Sequence, residues 1–302
     1  MNEAEFYLED LKSKFSKIDP DKYYLAYSGG RDSHFLFWFI REYLHEKRIP
    51  AVYNNTGIDL PEIRRRGINN ADVVLRPTIN HWEIKEKYGI PLMTKMSDKH
   101  VWEYQTYKER GVPDEDLPRY VKWYVLRDIN FAPEHKKGLL PYEAATIEVS
   151  NALKEGKLHK VSPHCCTFLK KKPAHEYEIS SGRKPIIGIM AAESWRRKTM
   201  LTGCFNKKGY FYPIRDLTED LRQKIEREYD IPVPKIYKFL PQTGCAGCPY
   251  GQHGKNRFMA TDIDLSLCGN AQRKFIMEYF KESYAFKGYE FHQMLFSDSS
   301  QL

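Results

Sequence analysis

The chain has 302 residues, with 48 lysines and arginines against 40 aspartates and glutamates, a formal net charge of +8 at pH 7. That length can bury a sizeable core, in one large α/β domain or a core with a small appendage, without disulfide staples. No apolar stretch approaches the roughly 18 residues that cross a bilayer, and Met1 to Asp19 lacks the charged-then-apolar order of a signal peptide. A cytoplasmic protein with no membrane partner is therefore expected. The positive excess suits nucleotides or nucleic acid, although a solvated basic surface has the same composition.

Lys22 to Tyr27 reads as a buried strand, and the Ser-Gly-Gly turn after it leads into Asp32 to Glu46, where Phe35, Leu36, Phe39, Ile40 and Tyr43 have helical spacing. A second strand, Ala51 to Asn55, precedes a helix that starts near Pro61, the short strand Asp72 to Leu75 and the apolar run Ile90 to Met93. From Lys95 to Lys160 the sequence becomes aromatic and charged, which predicts a helical insertion. The sheet resumes at Lys184 to Met190, a helix runs from Thr218 to Tyr229, and a Gly- and Cys-rich loop from Thr243 to Gly254 precedes a helix from Asn270 to Tyr284. Strands alternating with helices predict an α/β fold with a doubly wound parallel sheet. Ligands of such sheets sit at the carboxyl ends of the strands, where the loops after Tyr27 and Asn55 fall. The expected organisation is a nucleotide-binding domain over residues 1–240, carrying the insertion at 95–160, and a C-terminal segment over 241–302 packed on its core.

Ser28-Gly29-Gly30-Arg31-Asp32-Ser33 joins a strand to a helix. Its small residues let the main chain approach an oxyanion, the helix start directs amides and the positive end of its dipole toward it, and Arg31 and the two hydroxyls add donors. The spacing is not that of Walker A. Six cysteines, Cys165, Cys166, Cys204, Cys245, Cys248 and Cys268, are too few for a disulfide scaffold, and their clustering points to a metal or to redox chemistry. Cys245-Ala246-Gly247-Cys248 brings two thiolates to one side of a turn, and Cys204 reads as a buried structural cysteine.

The loop at 28–33 is similar to the PP-loop of the N-type ATP pyrophosphatases and sulfonucleotide reductases, together the phosphoadenosine phosphosulfate reductase family. Further matches spread the resemblance over most of the chain outside the insertion. Asn55-Thr56-Gly57 with Pro61-Glu62 resembles the second nucleotide loop, with Asn55 where the family usually has Asp. Cys165-Cys166 with Lys170 and Pro173, Glu193-Ser194 with Arg197, and Pro213-Ile214 through Ile231-Pro232 and Tyr237 resemble three later family segments. The resemblance implies that Ser28, Gly29, Gly30, Asp32, Ser33, Thr56, Gly57 and Lys170 bind ATP. It further implies that Arg31, Glu193 and Arg197 act at its phosphates and that Asp32 supports Mg²⁺. A surface ion pair at helical spacing is the plainer account of Glu193 and Arg197.

Cys165 and Cys166 with Cys245 and Cys248 are similar to the 4Fe-4S ligands of adenosine phosphosulfate reductases. Four sulfur ligands also suit zinc. Vicinal cysteines reach separate irons more easily than two corners of one tetrahedron. Cys268 is an alternative ligand or a sulfur-handling thiol. The reductases carry their attacking cysteine in a C-terminal tail, and here no cysteine follows Cys268. The expected activity is therefore ATP cleavage to AMP and pyrophosphate, adenylating an acceptor for sulfur incorporation, as in the ATP pyrophosphatases of DNA phosphorothioation systems. Reductase activity, or nucleotide sensing without turnover, is the alternative. A sulfur donor such as a cysteine desulfurase, a nucleic-acid acceptor and a second copy of the chain are the partners this reading admits.

Overall fold

The computed structural model describes residues 2–133, 144–193, 195–200, 202–241, 243–252 and 258–291, with only the backbone at 193, 195, 196 and 200. The chain divides into two compact units, Met1–Pro77 with Lys171–Thr243, and Thr78–Lys170 with Gly244–Gln301. In chain order the first unit supplies α1 (Glu3–Phe15), β1 (Tyr23–Tyr27), α2 (Arg31–Trp38), β2 (Ala51–Asn54), α3 (Pro61–Asn70) and β3 (Val73–Leu75). The second supplies α4 (His81–Tyr88), α5 (Lys95–Glu109), α6 (Arg119–Tyr124), α7 (Ile147–Lys154) and the single turn α8 (His164–Cys166). The first resumes with α9 (Lys172–Ser181), β4 (Lys184–Ile186), α10 (Trp195–Met200) and α11 (Glu219–Glu228), and the second ends with α12 (Met259–Leu267), α13 (Asn270–Tyr279) and α14 (Lys281–Lys287).

The first unit is α/β, with a four-stranded sheet in the order β3-β2-β1-β4. Every pairing is parallel, with Leu25 of β1 opposite Ala51 on one side and Ile186 on the other. From β1 the chain steps through β2 to β3 in one direction, then returns to place β4 on the other flank of β1. The topological switch point therefore lies at the carboxyl ends of β1 and β4, where open α/β sheets take their ligands. Helix α1 starts at a capping box between Asn2 and Glu5 and buries Ala4, Tyr7, Leu8, Leu11 and Phe15. Those positions recur at helical spacing, and their stripe joins Phe35, Leu36, Ile186, Phe211 and Ile225 in one core.

Two predicted elements are shorter than the apolar pattern suggests. Helix α2 ends at Trp38 and passes into a π-helical turn at Phe39–Tyr43, where the Leu44 amide reaches back to the Phe39 carbonyl. Strand β4 ends at Ile186, whose outer side makes a one-residue parallel bridge to Phe211, with the Ile187 amide donating to the Phe211 carbonyl at 2.8 Å.

The second unit is helical where described and extends beyond 95–160. It begins at Thr78 and includes the chain from Gly244 that carries Cys245 and Cys248. Val101, Tyr104, Val121, Val149 and Leu153 from three helices form its core with Leu92 and Val161. The apolar run at Ile90 makes one parallel bridge, to Val161. Buried Asp98 then ties the run down, accepting the Leu92 amide at 2.6 Å and the Met93 amide at 2.9 Å. The helix predicted from Asn270 breaks at Phe280 into α13 and α14. No helix among the described residues is long and apolar enough to cross a membrane.

Candidate functional site

The turn after β1 is fixed from within. Ser28 and Ser33 hydroxyl oxygens lie 2.9 Å apart, the Ser28 amide donates to Ser33 Oγ at 3.1 Å, and the Gly30 amide donates to Ser28 Oγ at 3.3 Å. Gly29 sits at φ +75°, and Gly30 caps α2. A Cβ on Gly30 would come within 2.9 Å of the Tyr237 hydroxyl, which accepts the Arg31 amide at 2.9 Å and lies 3.0 Å from Thr243 Oγ1. The amides of Asp32 and Ser33, in the first turn of α2, have no acceptor within the helix.

Over this loop opens a cavity of about 250 Å³. Ser28, Gly30, Arg31, Asp32 and Ser33 line it, with Gly188 to Met190 after β4, Arg197 of α10, Glu219 and Arg222 of α11, and Tyr237, Pro241 and Thr243. It therefore stands at the switch point. Gly188 permits the approach of the β4 loop, since a Cβ there would lie 3.0 Å from the Asp32 carbonyl carbon.

Helix α11 sets the charge balance at the cavity. Arg31 Nε donates to both Glu226 oxygens at 2.9 Å, and its Nη1 to Glu219 at 2.9 Å. Arg222, only 3% exposed, is ion-paired with Asp32 and with Glu219. Burial, and then the charge of Arg31, lower the Arg222 guanidinium to about 10, still cationic at neutral pH. The cations of the loop are thus held by carboxylates, and the carboxylate of Asp32 by a cation.

Behind the loop, Asn70 Nδ2 donates to the Tyr27 hydroxyl at 3.0 Å, leaving its hydrogen for His34 Nδ1, also 3.0 Å away. Burial, and then Arg66, depress His34 to about 3, so the folded state keeps it neutral. This lowered value makes a stability contribution that is complete above the unfolded pKa of about 6.5 and is lost as pH falls toward 3. His159, lowered to about 4, acts in the same direction. Asp98, raised to about 6, and Asp264, raised to about 7, act oppositely, so the His34 contribution shows as a difference. Denaturation of wild type and His34→Gln from pH 4 to 7 should give curves that converge by about 1.4 kcal/mol per pH unit below 6.5. Parallel curves would contradict the neutral buried imidazole.

The loop after β2 is built as a turn. The Gly57 amide donates to Asn55 Oδ1 at 3.1 Å, the Ile58 amide to Thr56 Oγ1 at 3.4 Å, and Asp59 accepts the Thr56 amide at 3.2 Å. Gly29, Thr56, Gly57 and Lys170 are not among the residues lining the cavity, whereas Arg197 is. The Glu193 side chain and Ser194 lie outside the described residues. Arg222, Glu219, Glu226 and Gly188 were not singled out from sequence. The only local signal for the first three is their i, i+3 and i+4 spacing, which surface helices share.

Cys165, Cys166, Cys245 and Cys248 all belong to the second unit. Cys165 is buried, and its acidity is suppressed by Cys166, then by burial, then by Cys248 and Cys245. Burial comes first for Cys248, followed by Cys245 and Cys166, while Lys170 acts in the opposite sense. Cys165 and Cys248 thus each lie within electrostatic reach of Cys166 and Cys245, and Lys170 is within reach of Cys248. Among the described residues no group of three or more His, Cys, Asp or Glu side chains is placed to hold a metal ion. The Cys-x-x-Cys loop is braced by the Gly247 amide donating to Asp264 at 3.1 Å and by the Tyr284 hydroxyl donating to the Gly247 carbonyl. Cys268 is buried at the end of α12 and its thiol is pushed up to about 12, chiefly by burial and then by Asp264. Cys204 is half-buried against the core of the first unit.

No protein-family model matches the chain, and no curated protein matches it.

Proposed function

We propose that the chain is a PP-loop ATP pyrophosphatase that cleaves ATP to AMP and pyrophosphate and passes the AMP to an acceptor oxygen, making that oxygen a leaving group for sulfur. The observation that carries this reading is the position of the 28–33 loop at the switch point of the parallel sheet, where Ser28, Gly30, Arg31, Asp32 and Ser33 line a polar cavity. At about 250 Å³ the cavity is smaller than a whole-ligand pocket and suits the phosphates of a nucleotide.

In this reading the first-turn amides of α2 and the hydroxyls of Ser28 and Ser33 bind phosphate oxygens, and Arg197 offsets charge as it develops at phosphorus. Arg31 adds less than its formal charge, because Glu226 and Glu219 already neutralise it. Tyr237 holds the loop through the Arg31 amide. The oxygen donors of Asp32, Ser28 and Ser33 suit Mg²⁺, which supplies charge neutralisation on the phosphates when bound.

The gathering of Cys166, Cys245 and Cys248 around the buried Cys165 thiol supports a metal centre at these four residues, for which we favour 4Fe-4S over zinc. A cluster asks its ligands to surround several atoms rather than to converge on one. Such a centre would bind sulfur or hold the unit together. Sulfur delivery by a cysteine desulfurase and a nucleic-acid acceptor complete the reading, the latter in keeping with the net charge of +8.

Product analysis tests it. With Mg²⁺-ATP the chain should release AMP and pyrophosphate, and Asp32→Ala should slow release on the order of 10²-fold or more. Release of sulfite from adenosine phosphosulfate with thioredoxin would replace this reading with a reductase, and ATP binding without any product would replace it with a sensor.

A further inference from the structure

Tyr279, the last residue of α13, has none of its surface exposed. Aromatic rings enclose it: centroids of Phe280, His81, Phe275 and Trp82 lie 4.7, 5.4, 5.8 and 5.9 Å from its own. Inside this enclosure its hydroxyl has no hydrogen-bond partner among the described residues. A buried hydroxyl left in that state costs about 1–3 kcal/mol, so the position asks for an acceptor that the described residues do not supply.

The surroundings indicate where that acceptor lies. Helix α13 packs against α4, and Ile84 of α4 packs in one cluster with Cys165, Cys166 and Leu169. The acidity of the Tyr279 phenol is suppressed first by burial and then by Cys165, Cys245, Cys248 and Cys166, which puts all four thiols within its electrostatic reach. Held protonated in this way, the phenol is a donor at every working pH.

We propose that the Tyr279 hydroxyl donates a hydrogen bond to a sulfur of the metal centre held by Cys165, Cys166, Cys245 and Cys248, and thereby raises the centre's reduction potential. This rests on the four-thiol reading above. A hydrogen bond to sulfur stabilises the reduced, more negative state of such a centre and satisfies the orphaned hydroxyl.

The test compares the full chain with Tyr279→Phe, which keeps the ring and removes only the donor, both purified anaerobically. Iron and sulfide content reads the centre itself, while redox titration and the proton couplings of the reduced centre in H₂O and D₂O read the hydrogen bond. The expected result is equal iron in both proteins and a midpoint shifted to more negative potential in Tyr279→Phe. At the potential where the wild type is half reduced, the variant's ratio of reduced to oxidised centre should be roughly tenfold lower. An exchangeable proton coupled to the wild-type centre should be absent from the variant. Equal iron with unchanged midpoint and couplings would overturn the role of Tyr279 and leave the four-thiol centre standing. A wild type that retains no iron would remove the centre, and this proposal with it. Should the variant misfold, the wild-type measurement alone decides, because the lack of an exchangeable coupled proton there contradicts the hydrogen bond.

Discussion

Replacing Arg222 by leucine should destabilise the first unit by about 3–5 kcal/mol, the range for removing one partner of a buried ion pair. Its side chain is almost fully buried and answers three carboxylates: Asp32 and Glu219 by direct pairing, and Glu226 at 3.8 Å. Glu226 is itself 5% exposed and keeps its bidentate pair with Arg31, so losing the second guanidinium leaves Asp32, Glu219 and Glu226 facing a single cation in a largely buried place. The folded environment already disfavours Arg222, as its lowered pKa records, so the loss comes from the carboxylates left behind more than from a strong native attraction. That account makes a second result follow. Adding Glu226→Gln to Arg222→Leu should recover part of the lost stability, a coupling that urea denaturation of the two single variants and the double variant measures. A loss below about 1 kcal/mol for Arg222→Leu, or strict additivity in the cycle, would show that the network contributes nothing beyond surface pairs.

The same network shows where sequence reading stops. Helix α11 and its N-cap at Thr218 are legible, because capping and periodicity are local. Glu219, Arg222 and Glu226 have the spacing of a solvated helix face, and nothing local says that the face is turned onto the loop at 28–33, far away in sequence. The strand, turn and helix around Ser28 are legible for the opposite reason, since every hydrogen bond among Ser28, Gly30 and Ser33 spans at most five residues. The turn at Asn55 to Asp59 is local as well, but its separation from the cavity lining depends on how β2 ends relative to β1 and β4. Helix α2 follows its apolar spacing only to Trp38, because a π turn continues the same buried stripe through Phe39 and Ile40 with different backbone bonding. The extent of the second unit was not legible either: two segments far apart in sequence build it, and compositional change marks only the middle of the first.

Gly29→Ala should cost about 3 kcal/mol or more, and it tests whether the loop's shape depends on this one position. Two separate effects combine there. At φ +75° an alanine takes a left-handed conformation, worth roughly 1–2 kcal/mol against L-residues. Its Cβ would also lie 2.5 Å from the Ile63 carbonyl oxygen and 3.1 Å from the Gly67 amide nitrogen, both main-chain atoms of α3 that cannot rotate aside. Overpacking of that kind adds about 1–3 kcal/mol. Gly67 cannot yield by moving inward, since a Cβ at that glycine would itself meet the Tyr53 ring at 2.6 Å, a sign of how tightly α3 lies on β2. Gly182 supplies the control: it has φ +69° with nothing within 4 Å of a built Cβ, so Gly182→Ala should show the conformational part alone, about 1 kcal/mol. The difference between the two variants in thermal or urea unfolding isolates the contact with α3. If Gly29→Ala folds with only the Gly182→Ala loss, the loop has shifted away from α3. ATP binding by that variant then decides whether the positions of Ser28 and Gly30 over the cavity shifted with it.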